Sequence, residues 1–443
     1  MSKSQPLEEN RTFLGQSPLH LAITNPAICK LLLDAGHGLD VTDKWGTTPL
    51  MYAAGMGERQ TVALLLSKGA DPIISQNPRP YEHDGNSRTF VHYAIARGHL
   101  DLVLDALGMI RTLYGIEALH VMSQLAIMIT ISTNLYFIDS RAAFFSELVK
   151  NLANINMPFQ GTHKGVDDNN LMHYVLSVEE ASALVRCGFN QFNDPNSDGK
   201  LAINSLARHA NPALIKFCIE NGTDVRNKDK KGRTILFDLF SNLSRAGDWK
   251  AWEKLDAIRL CLDAGVDVFE TDNCRCPCSP GGCTISSVFL VDFFSSTELV
   301  PAPGLHVLWS LEWVTLVEEH CGVEVARQVL LLLIRRARCN QADDAITHVC
   351  CHRGRGMAGH RWCEYRLRPL ADEDITEILD EEGEIDQLAS DSLDFLWLRW
   401  MSDIKTKYDA HVEAVEKERA EDEPQFSKGL VSITFGIQRQ TTQ

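Results

Sequence analysis

Residues 43–72 read DKWGTTPLMYAAGMGERQTVALLLSKGADP, and this stretch decides the fold. Gly46 closes a tight turn. Thr48 stands where a helix N-cap belongs, its hydroxyl able to accept a free backbone N–H, and Pro49 follows where a missing N–H costs nothing. Leu50, Ala53 and Ala54 give the first helix an apolar side small enough for a second helix to lie close. Gly57 breaks that helix, Val62, Leu64, Leu65 and Leu66 supply the second apolar face, and Gly69 stops it. Such a unit cannot bury its apolar side alone, so neighbours of the same kind must flank it.

The neighbours are there. Upstream, Gly15, Ser17-Pro18-Leu19-His20 and Lys30–Gly36 repeat the pattern, with Gly15 31 residues before Gly46. Downstream, a third unit opens at Gly85 and runs through Thr89–Leu107, with Phe90 at the proline position and a longer finger, Ile73–Arg88, ahead of it. Residues 108–165 lose the signature while keeping helical apolar spacing, as at Phe144, Phe145, Leu148 and Leu152. The pattern returns at Asn170–Tyr174 and at Gly199, and Gly232 opens another unit 33 residues later. Leu262–Asp267 closes that unit after an insert around Trp249 and Trp252.

The turn glycine, the T-P-L-H-like helix start, the paired short helices and the 33-residue period resemble the ankyrin-repeat family, and within it the ankyrin-repeat proteins abundant in filamentous fungi. The resemblance covers residues 15–300, most clearly 15–107 and 199–270. It implies an all-α solenoid of roughly seven units with short hairpin turns, followed by a helical, cysteine-containing C-terminal region. The expected organisation is a flexible lead-in at 1–13, N-terminal repeats at 14–107, degenerate helical repeat material at 108–167 and further repeats at 168–300 ending in a cysteine-rich loop. A helical region at 301–420 and a tail at 421–443 complete it. Within the C-terminal region, helices are predicted over Leu305–His320, Val323–Arg338 and Ser392–Ala420.

Bulk properties narrow the function. A formal net charge of −16 argues against generic nucleic-acid binding, which needs clustered Lys and Arg to neutralise phosphates. The N-terminus MSKSQPLEENRTF lacks the apolar core of a signal peptide. The apolar run Leu119–Ile131 is too short to span a bilayer and is interrupted by His120, Ser123 and Gln124. A soluble, monomeric protein of the cytoplasm, the nucleus or both is the expectation, with no membrane and no nucleic-acid partner. Thirteen cysteines in such a chain point to reduced thiols or metal ligands.

The densest cysteine cluster, Cys274, Cys276, Cys278 and Cys283, has the spacing C-x-C-x-C-x4-C, with Pro277, Pro280, Gly281 and Gly282 between. Four thiolates on so bent a backbone can converge on a soft divalent ion, zinc by default, with structural rather than catalytic character. Cys350, Cys351 and His352 are further candidate ligands, although two adjacent cysteines do not both reach one ion. The competing reading is a set of buried or redox-active thiols. Gly354–Gly359 formally matches G-x-G-x-x-G but lacks the strand before it and the helix after it, so it reads as a loop, and no organic cofactor is expected. Eight arginines between Arg335 and Arg368 precede an acidic segment, Asp372–Asp394, and self-neutralisation is the expected outcome.

No G-x-S-x-G elbow, P-loop or H-E-x-x-H occurs, and no catalytic residues are expected. By the resemblance, His20, His92 and His173 brace turns rather than form a catalytic or metal triad. Matching to the repeat puts Trp45 at a hairpin tip and Tyr52, Met56, Tyr93 and Arg97 on the exposed side of first helices. Trp, Tyr and Arg are enriched in binding hot spots, so these five are the candidate partner-binding residues, packing between repeats being their plainer role. The leading expectation is a non-catalytic protein–protein scaffold with a structural zinc. The alternatives are a metal- or redox-responsive regulator, or an enzyme with an unrecognised catalytic domain in the C-terminal third.

Overall fold

A computed structural model describes residues 11–76, 88–132, 140–156, 158, 168–209, 211–240, 251–273, 281–286, 303–342, 387–388 and 391–402. Gly85, Trp249, Cys274, Cys276, Cys278, Cys350, Cys351, His352 and residues 372–386 and 403–443 lie outside the described residues, as do the arginines from Arg353 to Arg368. The chain divides into two compact units, Met1–Leu206 and Ala207–Gln443.

In the first unit short helices alternate between two layers. The inner layer holds α1 (Pro18–Leu21), α3 (Pro49–Met56), α5 (Phe90–Ala96) and α7 (Ile116–Ser132), each packed on the one before it. The outer layer holds α2 (Pro26–Asp34), α4 (Arg59–Ser67), α6 (Leu100–Leu113), α8 (Arg141–Val149) and α9 (Val178–Arg186), packed in the same succession. A 3-10 turn at Leu171–Tyr174 packs against α10 (Ala202–Leu206).

The starts of these helices are written locally. Thr48 Oγ1 accepts from Met51 N–H at 3.3 Å, and Asn25 Oδ1 accepts from Ala27 and Ile28, with Pro49 and Pro26 at the first helical positions. Gly57 ends α3 at φ 76°, where a Cβ would lie 2.7 Å from the His99 ring. Between layers, Leu50, Val62, Leu65 and Leu66 are buried, and Thr61 Oγ1 donates to Ile23 O at 2.6 Å, fastening α4 to the preceding repeat.

The stretch expected to be degenerate repeat material is a full inner–outer pair. α7 buries Leu119, Met122, Ala126 and Ile129, close to the i, i+3, i+4 spacing of one helix face, and it packs on α5 and α6. α8 packs on α6 and α7 through Phe144, Phe145 and Leu148. Arg141 on α8 forms a buried ion pair with Glu180 on α9, whose other oxygen accepts from Leu176 N–H at 2.8 Å. Thr12 opens the first described turn, its N–H donating to Gln16 O at 3.0 Å.

The second unit continues in kind. α11 (Pro212–Glu220), α12 (Ile235–Phe240) and α13 (Ala251–Asp263) are followed by α14 (Pro303–Cys321) and α15 (Val323–Ala342). α13 packs on α11 and α14 on α13, so α14 takes the place an outer helix of one more repeat would have. Trp313 on α14 is fully buried, its ring edge-on to Phe240 at 4.9 Å and its Nε1–H 3.4 Å from Ser286 Oγ. α15 lies back along α14 after the single turn residue Gly322, at φ 92°. Of the expected C-terminal helix, 393–402 is helical, with Leu396 and Trp400 buried. Among the described residues there is no strand; isolated antiparallel bridges pair Gln76 with Arg88 and Thr271 with Thr284. None of the described helices is long and apolar enough to cross a membrane.

Candidate functional site

The candidate surface is built on the turns that join successive repeats. In the turn at 43–47, Asp43 N–H donates to Thr47 O at 3.0 Å, and the Asp43 carboxylate accepts from Trp45 N–H at 2.9 Å and Thr47 N–H at 2.8 Å. Gly46 takes φ 82°, the left-handed conformation the turn requires. The same arrangement recurs at Asn196–Lys200 and Asp229–Arg233, with the Asn196 or Asp229 side chain accepting from two N–H groups. An acceptor side chain that satisfies two turn N–H groups fixes the loop without any tertiary partner.

Histidine ties two of these turns to the helix before them. His20 Nδ1 accepts from Ser17 N–H at 3.1 Å, and His20 Nε2 lies 3.0 Å from Thr47 O in the next turn. His173 repeats this, with Nδ1 2.9 Å from Asn170 Oδ1 and Nε2 3.3 Å from Lys200 O. Burial lowers the pKa of both, that of His173 to about 4, because desolvating the imidazolium outweighs the hydrogen bonds that favour it. His92 Nδ1 accepts from Thr89 N–H at 3.1 Å. These three are structural braces.

The five candidate binding residues divide. Met56 is 57 % exposed, Trp45 38 % exposed, and Arg97 is exposed. Tyr52 and Tyr93 are half-buried, a correction to the expectation that both lie on an exposed face. Tyr52 O–H donates to Asp43 Oδ2 at 3.0 Å and accepts from Gln16 Nε2 at 3.0 Å, with its ring edge-on to His20 at 5.4 Å. Tyr93 O–H donates to Gln76 Oε1, beside the Gln76–Arg88 bridge that closes the finger. Both tyrosines therefore hold turns in place. α3 and α5 run close, since a Cβ on Gly55 would meet Tyr93 Cβ at 3.4 Å, and Met56 follows Gly55 directly. Phe13, 84 % exposed, was missed by the sequence reading; Lys44 Nζ sits 4.7 Å over its ring, next to Trp45. The signal was the T-x-x-G at Thr12–Gly15, which matches D-x-x-G at Asp43–Gly46.

Of the candidate zinc ligands only Cys283 is described. It is buried at the base of a turn closed as the others are: Asp272 N–H donates to Cys283 O at 3.0 Å, and Cys283 N–H donates to Asp272 Oδ1 at 2.9 Å. Here eleven residues separate the closing pair instead of four. Its base is anchored without it, by Arg233 to Asp272 at 3.2 Å and by Asn273 N–H to Lys231 O at 2.8 Å. Gly282, at φ 108°, has no room for a Cβ, which would fall 2.2 Å from Asp272 O. Elsewhere, burial pushes the thiols of Cys218 and Cys261 up to about 12, which makes them poor nucleophiles and poor redox sensors.

Comparison with known proteins agrees with this geometry at the N-terminal end. A sequence profile described as ankyrin repeats (3 copies) matches residues 3–76 and 19–108. The mouse nuclear factor NF-kappa-B p105 subunit is 40 % identical over 73 residues, 16 % of this chain and 8 % of that protein. The probable E3 ubiquitin-protein ligase XBOS31 of Oryza sativa subsp. japonica is 34 % identical over 92 residues, 20 % of this chain and 19 % of that protein. The matched stretches are thus a small part of either relative's length. The crystal structure of the human ASB11 ankyrin repeat domain aligns over 55 % of this chain and 98 % of its own, at 16 % identity and a TM-score of 0.36. On the sequence match, residues 3–108 of this chain are ankyrin repeats.

Proposed function

We propose that this chain is a non-catalytic protein-recognition module that binds a protein partner through the turns and inner helices of its N-terminal repeats. The observation that carries the reading is the division of labour there. Tyr52, Tyr93, Asp43 and His20 spend their polar atoms on holding turns rigid, which leaves Trp45, Met56, Arg97 and Phe13 with Lys44 presented from fixed positions. Anchors that are already ordered lose little conformational entropy on binding, and Trp and Arg are the side chains that most often dominate it. Replacing Trp45, Met56 and Arg97 together by alanine removes three of the presented groups and none of the braces. Proteins captured by the native chain should be lost by this variant while its far-UV helical signal stays unchanged. Undiminished capture would place recognition elsewhere.

A structural zinc in the cysteine loop is a second proposal. Its support is the C-x-C-x-C-x4-C spacing together with the turn geometry, which sets Cys283 at the base of the loop that carries Cys274, Cys276 and Cys278. Cys350, Cys351 or His352 would serve as a substitute ligand. Because the base closes through backbone bonds and Arg233, such a metal would order the loop rather than the array.

A further inference from the structure

Three positions of the repeat in the first unit are aimed at the repeat before. One is the fourth residue of each inner helix: Tyr52 on α3 reaches back to Gln16 at 3.0 Å and sets its ring against His20, and Tyr93 on α5 packs over Gly55 of α3. Another is the third residue of each outer helix: Thr61 on α4 donates to Ile23 O at 2.6 Å, and Leu102 on α6 is 3 % exposed. The last is the sixth residue of each outer helix, where Asp105 on α6 pairs with Arg59 on α4 at 2.8 Å. In α1 and α2 the same positions hold Leu21, Ile28 and Leu31, which are 61 %, 47 % and 69 % exposed. Leu32 and Leu33 behind them are half-buried, whereas their counterparts on α4, Leu65 and Leu66, are fully buried. The first repeat thus leaves open the apolar side that its successors have covered. An uncovered side of a repeat array is ordinarily polar, because solubility requires it.

The chemistry of this face points to its cover. None of the three residues is charged, and the charges of α2 are placed elsewhere. Asp34 is engaged by Lys68 at 3.0 Å, and Lys30, two residues on from Ile28, lies about 200° round the helix. A partner selected by charge has nothing to read there. In the following repeats the same positions are covered by an outer helix of this chain and the loop that leads into it, α2 with Ile23 on α4, and α4 on α6. A second copy carries that kind of surface. Stacking head to tail would have to displace α15, which packs on the outer helix α14 and buries Val329, Leu330, Leu333 and Ile334. The open face of one copy can instead meet the same face of another across a twofold axis, where an uncharged apolar patch is complementary to itself.

We propose that this chain forms a closed dimer through the open face of its first repeat, with Ile28 and Leu31 of one copy packed on those of the other and Leu21 at the edge. This is a dimer where the sequence led to the expectation of a monomer. Two short helices form a small interface, so the association is weak and reversible at micromolar concentration.

Sedimentation velocity of the full chain from about 1 to about 200 µM tests it. The native protein should pass from the mass of one chain to that of two as concentration rises. Ile28→Lys with Leu31→Lys should stay monomeric, its dissociation constant raised about 30-fold or more, and so should Ile28→Asp with Leu31→Asp. Both positions are exposed, so the far-UV helical signal of each variant should stay native. Mixed in equal amounts, the lysine and aspartate variants should form a dimer again, because the opposed faces then attract. A native chain that stays monomeric throughout, a dimer that survives either double substitution, or a mixture that fails to reassemble overturns the proposal. So does a native monomer that dimerises only once residues 2–10 are removed, which would make the chain's own N-terminal segment the cover.

Discussion

His173 is a place where acid should weaken the N-terminal unit. Its folded pKa is about 4, against 6.5 for an ordinary histidine, because the ring is buried between Asn170 and the Lys200 carbonyl. Above pH 6.5 the ring is neutral whether the chain is folded or not, and it contributes no pH dependence. Between pH 6.5 and 4 the unfolded chain takes up a proton that the folded chain refuses, so stability falls as pH falls, and below the folded pKa the loss levels off. The shift is worth about 3 kcal/mol in full and about 2.5 kcal/mol by pH 4.5. The next repeat supplies the control, since Asn204 stands in the same position and accepts from Leu201 N–H at 3.1 Å without a group that titrates. Native-state exchange of the α9 amides at pH 7.5 and 4.5 reads the opening free energy of this region. The native chain should lose about 2 to 3 kcal/mol more than His173→Asn between the two conditions. His20, also held neutral by burial, titrates in both chains and cancels in the difference. Equal losses in the two chains would refute the reasoning.

Other consequences follow from particular contacts. Arg141→Ala should lower stability by about 3 to 5 kcal/mol in a urea melt, because it leaves the Glu180 carboxylate buried without its cation. Tyr52→Phe should cost about 1 kcal/mol by losing the bonds to Asp43 and Gln16, whereas Trp45→Ala should leave the melt within about 0.5 kcal/mol of native. If the loop holds zinc, purified protein should carry about one equivalent, and Cys276→Ser with Cys278→Ser should lose it while exchange at 212–220 stays native. Zinc-free native protein would end that proposal. Gly282→Ala should destabilise the base of the loop by about 1 to 3 kcal/mol, since it combines a positive φ with a clash on Asp272 O.

The repeats were legible wherever the fold depends on local chemistry. Gly46, Thr48, Pro49 and Gly57 each answer a requirement of the nearest few residues, and each does in the structure what its type predicts. The pair α7–α8 was harder to see because a 17-residue inner helix needs only its apolar stripe to stack on α5 and α6, with no turn signature to betray it. Tyr52 and Tyr93 read as exposed because their partners, Gln16 and Gln76, lie 36 and 17 residues away. The contact of His320 with Asp263 spans 57 residues and shows only once the helices are in place. At the cysteine loop the turn expected after Asp272 closes on Cys283, eleven residues on instead of four.

The central claim, that a protein partner is held on the turn and inner-helix side of the N-terminal repeats, is tested most directly by site-specific photo-cross-linking. A photoreactive residue is placed singly at Trp45, Met56 or Arg97, and for comparison at Gln60 on α4 or Arg111 on α6 in the outer layer. In extract from the source cells, the first three positions should each yield the same discrete cross-linked protein and the outer two should not. Cross-linking only from Gln60 or Arg111, or equally from all five, would contradict the account.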